Sequence, residues 1–522
     1  MRTARDLEQA RDPLRGFAEH AFSRAAGSPL VAGNRVRLLR DATENFPAWL
    51  GAIESAQRSI FFEQYIFADD PLGREFAAML ASKARSGVRV RVLYDWFGAV
   101  GERTRRVLQP VAAAGAEVRC FNPPRIESPL GWVVRNHRKS LVVDGTVGFV
   151  TGICIAQRWV GDPAVGRQPW RDTGVEVRGP AVSDLGRAFA QTWAEAGGIV
   201  TSDDLPTAEM IPNEGDVTLR VIATAPSTAG VYRLDHLIAA LARRTLWLTD
   251  AYFVGTAAYV QALRAAARDG VDVRFLVPGE TDVPLVKAIG RAGYRPLLES
   301  GVRVWEWNGP MLHAKTSVAD GRWSRVGSSN LNVASWLGNH ELDVAVEDAG
   351  FAHDMEDSFL ADLDNATEIV LSPRRRPAPV RRPPPRPRPL PDHGERRARS
   401  GLAAAGALRI GHAVGAAIGG YRVLGPAEAK LLGLGGLVLF AIAIVSLAWP
   451  RVAAFPIAVL SLWLSAALMW RAWRLRREAK RRGDPRPAQT SNAEPGGVAH
   501  TRPPDPGESR PPASYGGEPP HA

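Results

Sequence analysis

Cysteine is almost missing from this chain: Cys120 and Cys154 are the only two in 522 residues. Two thiols cannot staple a chain of that length, and their separation does not fit the short-spaced patterns that hold zinc. These counts argue against a disulfide framework and a cysteine-bound metal. The N-terminus, MRTARDLEQARDPLRG, lacks the apolar central stretch of a secretory signal, so the catalytic part is expected to stay in the cytoplasm. A strongly basic globular surface is lacking too. The net charge is +11, but ten arginines stand between Ser372 and Ser400 against only Asp392 and Glu395, and a second basic cluster runs from Arg471 to Arg482. Without those clusters the rest of the chain is slightly acidic, which argues against nucleic acid as the partner.

Charge is absent altogether from two long stretches, Leu431 to Trp449 and Val452 to Trp470, separated by Pro450 and Arg451. Each is about 19 residues long, close to the ~20 needed to cross the ~30 Å hydrocarbon layer. They are read as a transmembrane helical hairpin. The arginines before the first span and after the second place both ends in the cytoplasm, at a bacterial inner membrane. The segment 372–400 is an Arg/Pro-rich linker, because its prolines remove donors and fix φ. Residues 401–429 read as an interfacial helix carrying Arg409 and His412. The part from 471 to 522 reads as a basic and then disordered tail.

The chain exceeds one comfortable core, and its first part looks duplicated. After a segment 1–34, residues 35–205 carry the apolar strands SIFFEQYIF (from Ser59), GVRVRVLYD (Gly87), GAEVRCF (Gly115) and HRKSLVVDG (His137). Residues 206–371 repeat the order with TLWLTDAYF (Thr245), GVDVRFLVP (Gly270), GVRVWEW (Gly301) and HAKTSVADG (His313). Strands alternating with alanine-rich helical stretches predict an α/β fold with a mixed sheet in each repeat, the two repeats paired by a pseudo-twofold axis. One cleft would then collect the equivalent loops of both.

The same spacing of histidine, lysine and aspartate occurs once per repeat: His137, Lys139 and Asp144, then His313, Lys315 and Asp320. On an extended strand His137 and Lys139 share a face, as do His313 and Lys315. Two imidazoles and two ammonium groups in one cleft suit a phosphodiester. The lysines neutralise the nonbridging oxygens, a neutral histidine attacks phosphorus, and a protonated one gives its proton to the leaving alkoxide. Asp144 and Asp320 precede glycines and suit turns held by backbone hydrogen bonds. Asp172 in WRDTG and Glu341 in GNHELD are the carboxylates that could each hold the far nitrogen of an imidazole. No metal or cofactor is expected, since the lysines supply the positive charge.

With these residues in view, the chain resembles the phospholipase D superfamily, and within it the bacterial cardiolipin synthases. The likeness spans roughly residues 35 to 370 and also takes in VGSSNLNVASW with Gly327, Ser328 and Asn330, EQYIF at Glu63, WRDTGVEVRGPAV from Trp170 and DAYFV from Asp250. What the resemblance implies is a phosphohistidine on His137, His313 as the acid, and Ser328 and Asn330 facing the phosphate. It also implies phospholipid substrates, with phosphatidylglycerol as donor, a lipid alcohol as acceptor and glycerol released. The first repeat departs from the family pattern: Gly152 and Cys154 stand where the second has Ser328 and Asn330, and a thiol is a weak donor beside a carboxamide. Cys154 is read as a small buried thiol filling that space. The alternatives are a phospholipase D that admits water to the same intermediate, and a non-catalytic lipid-binding scaffold. The oligomeric state is not legible.

Overall fold

The computed structural model describes residues 13–124 and 133–371, with isolated helical positions between Phe455 and Trp473. The linker 372–400, the interfacial helix 401–429, the first apolar stretch, most of the second and the tail therefore lie outside the described residues. Among the described residues no helix is long and apolar enough to cross a membrane.

Seven strands form the first repeat: β1 (Val31–Arg40), β2 (Ser59–Gln64), β3 (Arg89–Asp95), β4 (Glu117–Phe121), β5 (Ser140–Val143), β6 (Val147–Thr151) and β7 (Thr173–Arg178). The second contains β8 (Val217–Thr224), β9 (Thr245–Thr249), β10 (Asp272–Pro278), β11 (Arg303–Trp307), β12 (Thr316–Ala319), β13 (Trp323–Gly327) and β14 (Glu341–Glu347), and an added edge strand, β15 (Ala366–Ile369). All 15 belong to one mixed sheet. Its order from one edge is β4, β3, β2, β5, β6, β7, β1, and then, in reverse equivalence, β8, β14, β13, β12, β9, β10, β11 and β15. The two repeats thus have one strand order and meet at β1 and β8, which run antiparallel. The pairing there breaks register between Val31 and Asn34. Buried Asn34 stitches the break: its amide donates to the Val31 and Val217 carbonyls, and its Oδ1 accepts from Ala181 N–H. β2, β3 and β4 are parallel, as are β9, β10 and β11.

Parallel neighbours need helical crossovers, and the sequence supplies them with caps. Asp70 accepts from Gly73 N–H at 2.8 Å and Pro71 opens the helix Pro71–Arg85. Leu72, Phe76, Ala77, Leu80 and Ala81 form its buried stripe. In the second repeat Thr256 caps Ala257–Arg268 in the same place. Period-two alternation sorts the strand side chains between layers. Ile60 and Phe62 join the outer core of the first repeat, whereas Phe61 enters a central core shared with Val344, Leu342 and Phe359 of the second. That shared core makes the repeats one body around the cleft.

One expectation needs correcting. His137 and Lys139 are not on the strand with Ser140, nor are His313 and Lys315 on the strand with Thr316, because β5 and β12 begin after each lysine. The reason is a change of partner. His137 N–H donates to the His340 carbonyl and His313 N–H to the Arg171 carbonyl, so each motif segment hydrogen-bonds to the other repeat before entering its own ladder.

Candidate active site

Asp144 and Asp320 terminate β5 and β12 with positive φ of 53° and 55°. The Asp144 carboxylate accepts from the N–H groups of Gln57, Arg58 and Ser59, and Asp320 accepts from those of Arg243, Arg244 and Thr245. Both fix the loop entering the neighbouring strand, β2 or β9. The carboxylates accept from backbone N–H groups, and neither residue lines the cleft.

The imidazoles are held crosswise. His137 Nδ1 lies 2.9 Å from Glu341 Oε2, on the second repeat. His313 Nδ1 lies 2.8 Å from Asp172 Oδ2, on the first. Holding Nδ1 leaves Nε2 as the nitrogen available for chemistry in both rings. The lysines curl back on their own motifs: Lys139 Nζ donates to the His137 carbonyl at 2.5 Å, and Lys315 Nζ to that of His313. Each ammonium also lies over a tyrosine ring, Lys139 over Tyr65 at 4.9 Å and Lys315 over Tyr252 at 5.8 Å.

Electrostatics prepare neutral imidazoles beside ionised carboxylates. Burial pushes His137 down to about 4, against the upward pull of Glu341 and helped by Lys139. Burial and the Lys315 charge push His313 down to about 4. Burial alone would raise Glu341, but the His137 ring, Lys139 and the Ser328 hydroxyl bring it down to about 2. Asp172 is likewise held below its ordinary value by His313, Lys315 and the Trp159 indole, against its burial. Burial lowers Lys139, and burial with the nearby Lys139 charge lowers Lys315 to about 8.

Both histidines face one cavity of about 620 Å³, which Lys139, Cys154, Asn330 and Tyr252 also line. The two flanks differ. Ser328 Oγ donates to Glu341 Oε2 at 2.5 Å and Asn339 Nδ2 to Oε1 at 3.1 Å. At the equivalent first-repeat position, Gly152 leaves no room for a side chain, since a Cβ there would lie 2.3 Å from Asp172 Oδ1. Asp172 receives a side-chain donor from farther along the loop, Trp159 Nε1 at 3.0 Å, besides the N–H of Thr173. Asn330 presents a buried Oδ1 with no hydrogen-bond partner. Its counterpart Cys154 is buried, and burial raises its thiol, so it stays protonated and inert.

Comparison with known proteins follows this geometry. A family model described as cardiolipin synthase, PLD-like domain matches residues 50–160 and 236–363, one segment in each repeat. The cardiolipin synthase of Halalkalibacterium halodurans is 33% identical over 353 residues, 66% of this chain and 69% of that protein. Cardiolipin synthase A of Pseudomonas fluorescens is 34% identical over 363 residues, 67% of this chain and 72% of that protein. The chain belongs to the cardiolipin synthase family. Membership makes it a transferase of the phospholipase D superfamily. A crystal structure of phosphatidylserine synthase from Haemophilus influenzae shares the fold, with TM-score 0.52, 12% identity, and 67% of this chain and 91% of that one covered.

Two features of this cardiolipin synthase family site escape reasoning from spacing. Trp159 and Asn339 reach the carboxylates from loops, with no periodic signal. Tyr65 and Tyr252 were legible in principle, because each stands two residues after a carboxylate, Glu63 near the end of β2 or Asp250 just past β9.

Proposed function

We propose that this transferase is a membrane-bound phosphatidyltransferase that makes cardiolipin from phosphatidylglycerol and a lipid alcohol. One observation carries the reading: two imidazoles, one from each repeat and each held at Nδ1 by the opposite repeat's carboxylate, face a single cavity with a buried lysine beside each. His137 Nε2 attacks the phosphorus of phosphatidylglycerol, the bond from phosphorus to the glycerol oxygen breaks, and His313 gives a proton to that oxygen. The hydroxyl of a second phosphatidylglycerol then loses its proton to His313 and attacks the phosphohistidine. The phosphorus–nitrogen bond breaks, releasing cardiolipin, and one phosphodiester has been exchanged for another.

Burial and the Lys315 charge disfavour the protonated form that the acid needs. An incoming diester brings negative charge between the two lysines and favours the imidazolium. Ser328 steadies the Glu341 side of the site, and Asn330, which lines the cavity, serves the phosphate as a donor through Nδ2.

The proposal places the anchor at Leu431–Trp449 and Val452–Trp470, with the catalytic part and both ends in the cytoplasm at the inner membrane. In its support, Phe455, Leu462 and Met469 are helical and 65–72% exposed, a condition that suits apolar surroundings. Deleting residues from Gly401 onward is expected to release the catalytic part from membranes; continued tight membrane association of that truncation would remove the anchor from the proposal.

The deciding experiment incubates purified, detergent-solubilised protein with labelled phosphatidylglycerol and resolves lipids and head group by mass spectrometry. Cardiolipin plus glycerol is the expected result. Phosphatidic acid plus glycerol would make the protein a hydrolase, and no product from folded protein would end the catalytic reading.

A further inference from the structure

The mouth of the catalytic cavity carries an unusual set of side chains. Phe97, Val100, Val283 and Val333 all line the cavity, yet they are 37–61% exposed. Leu337, 45% exposed, stands in the short helical segment Ala334–Gly338, whose Ala334 and Ser335 also line it. The five residues come from three loops. Phe97 and Val100 follow β3, Val283 follows β10, and Val333 and Leu337 follow β13. β3 and β10 are equivalent strands, so the twofold sets apolar tips on both sides of one opening. Isolated apolar residues on a surface need no explanation, whereas a group converging on one opening marks an interaction site. Arg135 stands among them, its guanidinium 3.9 Å from the centre of the Phe97 ring.

We propose that this rim docks on the lipid bilayer, its apolar tips entering the boundary between head groups and acyl chains while Arg135 reaches the phosphates. The inference rests on the phospholipid reading of the site and adds how the substrate arrives. A cavity of about 620 Å³ takes a ligand of drug size. It therefore admits a lipid head group and leaves two acyl chains outside, against the rim. A protein partner seated there would block this mouth to the substrate. Tethering permits the contact: about 60 residues separate Leu371 from the first apolar stretch at Leu431, a span of up to ~200 Å when extended. The linker's arginines add attraction to anionic head groups.

The test uses the full-length protein reconstituted in vesicles containing phosphatidylglycerol. Leu337→Asp is expected to lower turnover of vesicle phosphatidylglycerol about tenfold and to leave turnover of monomeric short-chain phosphatidylglycerol within about twofold of wild type. Met210→Asp, at an even more exposed apolar residue outside the cavity lining, should change neither. A second readout is independent of activity. A bimane on Val333→Cys, in a Cys120→Ser background where Cys154 stays buried, is expected to be quenched by phospholipid brominated along its acyl chains. Absence of quenching, or equal loss by Leu337→Asp on both substrates, overturns the docking. Quenching without turnover of any phospholipid by wild type would retain the docking and remove the proposed activity; turnover without quenching would do the reverse.

Discussion

The two halves of the active site perform related tasks with different parts. Around His137 the carboxylate is a glutamate, steadied by the Ser328 hydroxyl and the Asn339 amide, and the ring meets Tyr65 edge-on at 4.8 Å. Around His313 the carboxylate is the shorter aspartate, its donor is the Trp159 indole, and three aromatic rings, Trp159, Trp170 and Tyr252, lie 5.4–5.8 Å away. Glycine at 152 and the shorter acid go together, because the space a serine would need is filled by the aspartate itself. Duplication therefore preserved the geometry of two histidines while the side chains flanking them diverged.

The sharpest way to break this division is to remove each imidazole. His137→Gln and His313→Gln should each lower lipid transfer by about 10⁴. A p-nitrophenyl phosphodiester, whose leaving group needs no proton, separates them: His313→Gln should still give a burst of p-nitrophenol and His137→Gln none, and the opposite pattern would exchange the two roles. Next in size, Glu341→Gln and Asp172→Asn should cost about 10²–10³ in kcat with folding retained, since each leaves its imidazole without the carboxylate that sets its tautomer. Equal rates for either variant and wild type would deny the crosswise pairs a catalytic part.

Smaller effects probe the flanks. Trp159→Phe keeps the ring but removes one hydrogen bond to a charged acceptor, typically worth about 1.5–3 kcal/mol, so kcat should fall roughly tenfold or more with KM little changed. Ser328→Ala should produce a similar fall on the other flank, and an effect confined to KM would show that these donors hold lipid rather than carboxylate. The lysines add a pH signature. Lys315 carries a pKa lowered to about 8, chiefly by burial, and an ammonium is lost as pH rises through its pKa. The free-enzyme profile, kcat/KM against pH, should therefore decline above about pH 8. Lys315→Arg, always charged but different in shape, should be slower and lack that decline. The smallest change is expected from Cys154→Asn, which restores a carboxamide opposite Asn330 and should hold or modestly raise activity; inactivation would assign the thiol a role that its burial argues against.

Much of this arrangement was legible before any coordinates. The duplicated strand order followed from apolar runs of matching length, and the turn-holding aspartates from their place before glycine. Asp172 and Glu341 could be picked out as carboxylates able to hold an imidazole. Which histidine each serves was hidden, because the contacts join residues 141 and 204 positions apart and depend on how β1 meets β8. The same cross-repeat bonding drew the His and Lys residues out of the strands to which local alternation assigned them. Trp159 carried no signal because an indole reaching back from a loop has no fixed spacing to its acceptor. The apolar rim was hidden for a related reason: Val100, Val283 and Val333 are single residues in separate loops, and only the fold gathers them.

The crosswise carboxylates also order events in time. A first repeat leaving the ribosome already holds the residues of its seven strands, yet Glu341 follows His137 by 204 residues, which at ~5–20 residues per second is about 10–40 s of further synthesis. Until then His137 lacks the group that orients it, while Asp172 waits with no imidazole to hold. On the roles proposed for these residues, the centre is complete only when the second repeat closes on the first, and an unfinished chain carries neither imidazole paired with its carboxylate.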